Sequence, residues 1–191
     1  RGFNPMLMAA GRSALGGVCV FLWCYWKHIP LFRRDGTLKP GILAGLLFGV
    51  EFVLIFLAME LTSVGRVALL MNVMPFWVAI GSHFLLGEKM SMRAFIGMCV
   101  AFFGVVIVFA DNSSRPGPYA LYGDILALIS GMLWGMTTIV IKRSKLASAA
   151  PEKTLLYQLA VAAIVPLPFM FISGPLIREP DLLSVLSFLF Q

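Results

Sequence analysis

The chain has 191 residues, 60% of them hydrophobic and 13% charged, with a mean hydropathy of +0.92. A soluble domain carries about 25% charge, so this composition argues against a water-soluble globule, a disordered chain and a disulfide scaffold alike. The formal charge of +6 would suit nucleic acid in a soluble protein, but the positions of the charges assign it elsewhere.

In chain order, apolar segments cover residues 5–26, 41–61, 67–86, 94–110, 121–141 and 154–173, and a shorter run begins near Leu182. A membrane-crossing helix needs about 20 apolar residues, because about 30 Å of hydrocarbon is spanned at 1.5 Å per residue. The six complete segments meet that length, the fourth being the shortest. The bilayer offers the backbone no hydrogen bonds, so each is expected to be helical. The chain opens at Arg1, and its last apolar run stops at half a span, so a segment of a longer protein is expected. The first apolar stretch is too long for a signal peptide and lacks a cleavage pattern.

The gaps between segments hold the charges and turn formers. Lys27, Arg33, Arg34 and Lys39 lie in the first gap, Lys89 and Arg93 in the third, and Lys142, Arg143, Lys145 and Lys153 in the fifth. Arg1, Arg66, Arg115 and Arg178 lie on the opposite side, and Arg12 lies inside the first segment. The side richer in Lys and Arg faces the cytoplasm, so the odd-numbered gaps are assigned there. The basic excess is then a topology signal, and no nucleic-acid partner is expected.

Small residues recur every fourth position at Gly41, Gly45 and Gly49, again at Ala127, Gly131 and Gly135, and more briefly at Gly97 and Ala101. In lipid this spacing lets two helix backbones approach closely, and dispersion drives their association.

Polar residues within the apolar segments are the candidates for function. Glu51 falls at the middle of its segment, where an ionised carboxylate costs at least about 2.5–3.5 kcal/mol. It must face a watery cavity, pair with a cation such as Arg12, or hold its proton. Substrate-amine contact or proton coupling is the functional reading, and a structural ion pair the bland one. Arg12 either snorkels outward or meets a substrate carboxylate or Glu51. Pro75 removes a helical N–H and frees the carbonyl of Met71. Beside Asn72, that carbonyl forms a polar interruption of the kind tolerated where it lines a cavity; a packing kink explains it equally well. Trp77, Trp134, Tyr157 and Gln158 complete the candidate cavity set; Thr137 and Thr138 carry less weight, since their hydroxyls can bond back to their own helix, whereas Gln158 is costlier to bury. Pro166 and Pro168 are expected to kink the sixth segment, and Glu60 and Arg66 to pair across a short turn.

No grouping of His, Cys, Asp or Glu has the spacing of a catalytic or metal site, so no catalytic residue, metal or cofactor is expected. Cys19, Cys24 and Cys99 lie in apolar runs and read as small hydrophobes.

The stretch from Gly65 to Phe109 carries a small-residue turn, apolar residues to Pro75, LLGEKMS at Leu85–Ser91, Gly97, and GVVIVF at Gly104–Phe109. Together with GDILALISGMLWG at Gly123–Gly135, it resembles the EamA-type members of the drug/metabolite transporter superfamily. The resemblance implies an all-α integral membrane protein: a polytopic helical bundle that is part of a ten-helix fold of two inverted five-helix repeats. On that plan the chain runs from the second helix into the eighth. Residues 1–110 are then a first repeat lacking its first helix, and residues 111–191 the start of a second repeat. The resemblance further implies a multi-pass protein of the bacterial inner membrane that exports small organic metabolites, amino acids among them, by alternating access. Its expected partners are a small-molecule substrate and the bilayer, with protons as a candidate coupling ion. Cavity walls in such proteins come partly from the segments holding Glu51, Asn72 and Trp77. Glu88 is read as structural and Ser91 as a helix cap. The competing readings are an uncoupled facilitator or channel and, further off, a membrane scaffold or enzyme whose active part lies elsewhere.

Overall fold

The computed structural model describes residues 5–31, 35–110 and 117–170. The short run near Leu182 and the end of the sixth segment lie outside them. Among the described residues all regular structure is helical: α1 (Pro5–Trp26), α2 (Leu38–Leu61), α3 (Val64–Met71), α4 (Met74–Leu86), α5 (Met92–Ala110), α6 (Ala120–Arg143), α7 (Pro151–Ile164) and α8 (Leu167–Met170), with a 3-10 turn at Lys145–Ser148. Five stretches have the length and apolarity to cross a membrane: Met6–Trp26, Leu38–Leu61, Val64–Leu86, Ala120–Arg143 and Pro151–Met170; α5 adds a shorter apolar helix, Met92–Ile107. The exposed surface is apolar, as lipid requires: Phe84, Met92, Val100, Phe103 and Leu22 are all more than half exposed.

The helix ends follow local chemistry. At the end of α1, His28 adopts φ 54°, its N–H meets the Tyr25 carbonyl, and the Ile29 N–H meets the Cys24 carbonyl. This is a Schellman closure, with His in the position glycine usually fills. Ser63 caps α3 by accepting from the Arg66 N–H. Gly87, at φ 67°, closes α4. Ser91 caps α5, its Oγ accepting from the Ala94 N–H at 3.2 Å. Both proline-bearing spans are broken where expected. The third divides into α3 and α4 around Asn72–Val73, and the sixth divides into α7 and α8 ahead of Leu167.

The chain forms two compact units. Residues 1–53 and 140–191 form the first, in which α1 packs on α7. Its α2 glycines meet a matching ridge of α7. A Cβ at Gly41 would lie 2.5 Å from the Tyr157 ring. One at Gly45 would lie 2.7 Å from Val161 Cβ and 2.8 Å from the Tyr157 carbonyl oxygen, and one at Gly49 2.9 Å from Val165 Cβ. Three glycines at four-residue intervals thus receive three side chains at the same interval, the ridge-and-groove match that close packing in lipid requires.

Residues 54–139 form the second unit. Here Gly123, Ala127, Gly131 and Gly135 of α6 share one face. A Cβ at Gly123 would lie 3.0 Å from the Ala58 carbonyl oxygen, and one at Gly131 3.4 Å from the Met71 carbonyl oxygen. At Gly135 it would lie 2.7 Å from Trp77 Cβ. The break between α3 and α4 therefore backs onto a glycine that leaves it room. The short run at Gly97 and Ala101 behaves differently: nothing lies within 4 Å of a Cβ at Gly97, and Ala101 is exposed. The small residues there receive no ridge, and α5 meets α4 instead through the Phe76 and Phe102 rings, whose centroids lie 5.6 Å apart.

Candidate functional site

Of the residues singled out from the sequence, Arg12, Glu51, Tyr157 and Gln158 lie in the first unit, and Asn72, Pro75, Trp77 and Trp134 in the second.

Glu51 is 2% exposed, and its Oε2 has no hydrogen-bond partner among the described residues. Its α2 neighbour Phe52 receives Arg12 of α1, whose guanidinium carbon lies 4.2 Å from the ring centroid. Arg12 therefore stacks on an aromatic face, and the Arg12–Glu51 ion pair, one of the alternatives for these residues, is not formed. Ser13, beside Arg12, is fully buried. The first unit thus holds, within membrane-spanning helices, a buried carboxylate with no cation and a half-buried guanidinium with no anion among the described residues.

Tyr157 sits against Gly41, and its hydroxyl is 3.3 Å from Thr37 Oγ1. This ties it to a polar cluster where α2 and α7 begin. Thr37 donates to Asp35 Oδ1 through its N–H at 3.1 Å and its hydroxyl at 2.6 Å. Lys153 Nζ meets Asp35 Oδ2 at 2.7 Å. These contacts, that of Lys153 foremost, hold the Asp35 carboxyl well below the usual carboxylate range. Gln158 is half-buried.

In the second unit the Asn72 amide donates to the Ala68 carbonyl at 2.8 Å, closing α3 on itself. Pro75 opens α4 within its first two positions. Trp77 packs on Gly135, and its Nε1 is buried without a hydrogen-bond partner among the described residues. Trp134 is 40% exposed. Thr137 and Thr138 bond back to the Leu133 and Trp134 carbonyls of their own helix.

Two charge clusters escaped the sequence reading. One is Asp35–Lys153. The other is Arg66–Asp124, in which Arg66 donates to both Asp124 oxygens, at 3.2 and 2.7 Å, and Thr62 adds a third bond at 3.0 Å. Both charged side chains are nearly sealed from solvent, at 5% and 3% exposure. Arg66 was expected to meet Glu60 across a turn; its bidentate partner is Asp124 instead, and Glu60 is exposed. Asp124 lies on the glycine-bearing face of α6, where the turn after α2 comes close enough for the fork to form.

Apolar helices of membrane length, joined through glycine faces and carrying isolated polar groups at membrane depth, define a polytopic all-α membrane protein. The chain belongs to the EamA-like transporter family, whose pattern it matches over residues 1–110 and 121–190. It is 27% identical to the uncharacterized transporter YoaV of Bacillus subtilis over 139 residues, covering 72% of this chain and 48% of that protein. It is likewise 27% identical over 195 residues to an uncharacterized transporter of Archaeoglobus fulgidus, covering 97% of this chain and 65% of the relative. A solved crystal structure shares the fold, with a TM-score of 0.72 at 21% identity over 97% of this chain and 63% of that one. The chain thus spans about half to two thirds of the length of the proteins it matches.

Proposed function

We propose that the full protein exports small organic metabolites, amino acids foremost among them, across a bacterial inner membrane by alternating access. The carrying observation is the pair of unmatched charges in the first unit. A buried carboxylate without a cation is unfavourable unless a ligand or a proton supplies the positive charge, and Arg12, half-buried on the Phe52 ring, can take an anion. A zwitterion brings both. Glu51 takes the amine or, between substrates, a proton; Arg12 takes the carboxylate. Membership of a transporter family supports reading these groups as ligand contacts. On this reading residues 1–110 are the first repeat, lacking its first helix, and residues 111–191 open the second. The family match over two separate stretches supports that division. The Lys-rich ends face the cytoplasm on this reading.

Reconstitution of the full-length protein in liposomes tests the reading. An imposed pH gradient is expected to drive uphill accumulation of a transported amino acid, and Glu51→Gln to abolish the response to pH. Equilibration without accumulation would make the protein a facilitator. Wild-type rate and pH dependence in Glu51→Gln would remove Glu51 from the path.

A further inference from the structure

A cavity of about 570 Å³ opens in the first unit, lined by Ile29, Pro30, Asp35, Thr37, Lys145, Ser148, Ala149, Ala150 and Lys153. Its volume lies in the range of small-molecule sites, about 300–1,000 Å³. Its charges are unequal. Both Asp35 oxygens are engaged, Oδ2 by Lys153 and Oδ1 by Thr37, so the one carboxylate in the lining is already matched. Lys145 is the second cation, and no acceptor meets its ammonium among the described residues. Lys145 is exposed, and its side chain lies along the loop. Gly36, at φ +75°, brings the loop so close that a Cβ there would lie 3.1 Å from Lys145 Nζ. The 3-10 turn that carries Lys145 is pinned by its buried Leu146 and by the Ser148 hydroxyl, which donates to the Lys145 carbonyl at 3.1 Å. The N-terminus of the 14-residue helix α7 forms another part of the wall, and it has no side-chain cap. A helix start favours negative charge, and Glu152 in the first turn of α7 already supplies one such group.

We propose that this cavity binds a small organic anion, its carboxylate or phosphate group on the Lys145 ammonium and its apolar body against Ile29, Pro30, Ala149 and Ala150. The Lys153–Asp35 pair shapes the wall and contributes no net charge, so among the described lining residues Lys145 supplies the unmatched positive charge, which suits a single anionic group. The chemistry fits a soluble metabolite and a phospholipid headgroup alike. The site is separate from Arg12 and Glu51, and its test does not measure transport.

Thermal unfolding of the full-length protein in maltoside micelles provides that test. Inorganic phosphate and, separately, phosphatidylglycerol mixed into the micelles are titrated against chloride at constant ionic strength. At least one is expected to raise the unfolding temperature, with an apparent affinity about tenfold weaker in Lys145→Ala, the loss typical of one charged hydrogen bond. Lys39→Ala, which removes an exposed charge outside the cavity lining, is expected to bind as wild type. A response to phosphate assigns the anion to solution, and a response to phosphatidylglycerol alone assigns it to the bilayer. No response to either, or equal losses in both variants, would overturn the proposal.

Discussion

Glu51 shows how a single residue can set function against stability. A buried carboxylate with a bare oxygen costs folding free energy that a neutral amide of the same shape largely avoids. Glu51→Gln is therefore expected to raise the thermal unfolding midpoint of the full-length protein while abolishing transport. A fall in both would make Glu51 a structural group. Asp124 carries the opposite balance. Asp124→Asn leaves the Arg66 charge sealed without its carboxylate, and loss of one partner of a buried pair costs about 3–5 kcal/mol, readable as a lowered midpoint in denaturing detergent. Asp35 adds a pH signature. Lys153 and Thr37 depress its pKa in the folded state, so its contribution is complete above the ordinary carboxylate pKa of about 3.9 and is lost only as the pH falls through the depressed value. The stability gap between wild type and Asp35→Asn is thus expected to stay level from pH 8 to 5 and to close in stronger acid. A gap that closes between pH 7 and 5 would contradict the assignment. Glu51 could be picked out from the sequence because depth in an apolar run is visible without a partner. Asp35, Asp124 and their cations could not, since each lies at a segment end, where charges are ordinary, and only tertiary packing joins them.

At the scale of helices, the glycine faces separate into packed and unpacked. Gly45→Ala forces a methyl to within 2.8 Å of a backbone oxygen, and overpacking of this kind costs about 1–3 kcal/mol. Gly97→Ala meets nothing and is expected to be neutral. Equal effects in a thermal or detergent unfolding series would mean that the α2–α7 match is not what holds the first unit together. Spacing alone identified the faces at 41–49 and 127–135, because a four-residue repeat of small residues is visible without knowing what fills it. It also flagged Gly97, where a Cβ meets nothing within 4 Å, and Ala101, which is exposed, so the same pattern serves packing in one helix and not in another. The filling ridge of Tyr157, Val161 and Val165 left no mark, since bulky apolar residues occur throughout the chain. The breaks at Pro75 and Pro166 were legible because proline removes a specific hydrogen bond. The Asn72 amide was not, because a short polar side chain can turn to its own helix as readily as to a cavity. Pro75→Ala restores an N–H to a backbone that already turns at Asn72–Val73, and it is expected to reduce transport more than membrane insertion.

For the whole molecule, hydropathy carried most of the helical architecture, because the bilayer imposes length on every span. The orientation proposed from the lysine-rich gaps would put Ser148 in the cytoplasm and Tyr119 outside. A cysteine at 148 is expected to react with an impermeant maleimide only in inside-out vesicles, and one at 119 only in right-side-out vesicles. The central claim is that the unmatched charges of Arg12 and Glu51 await a zwitterion. Amino-acid counterflow in proteoliposomes, comparing wild type with Arg12→Gln and Glu51→Gln, measures it most directly. Exchange of labelled amino acid by the wild type, cut at least about tenfold by either substitution, is the predicted result. Wild-type exchange in both variants would contradict it.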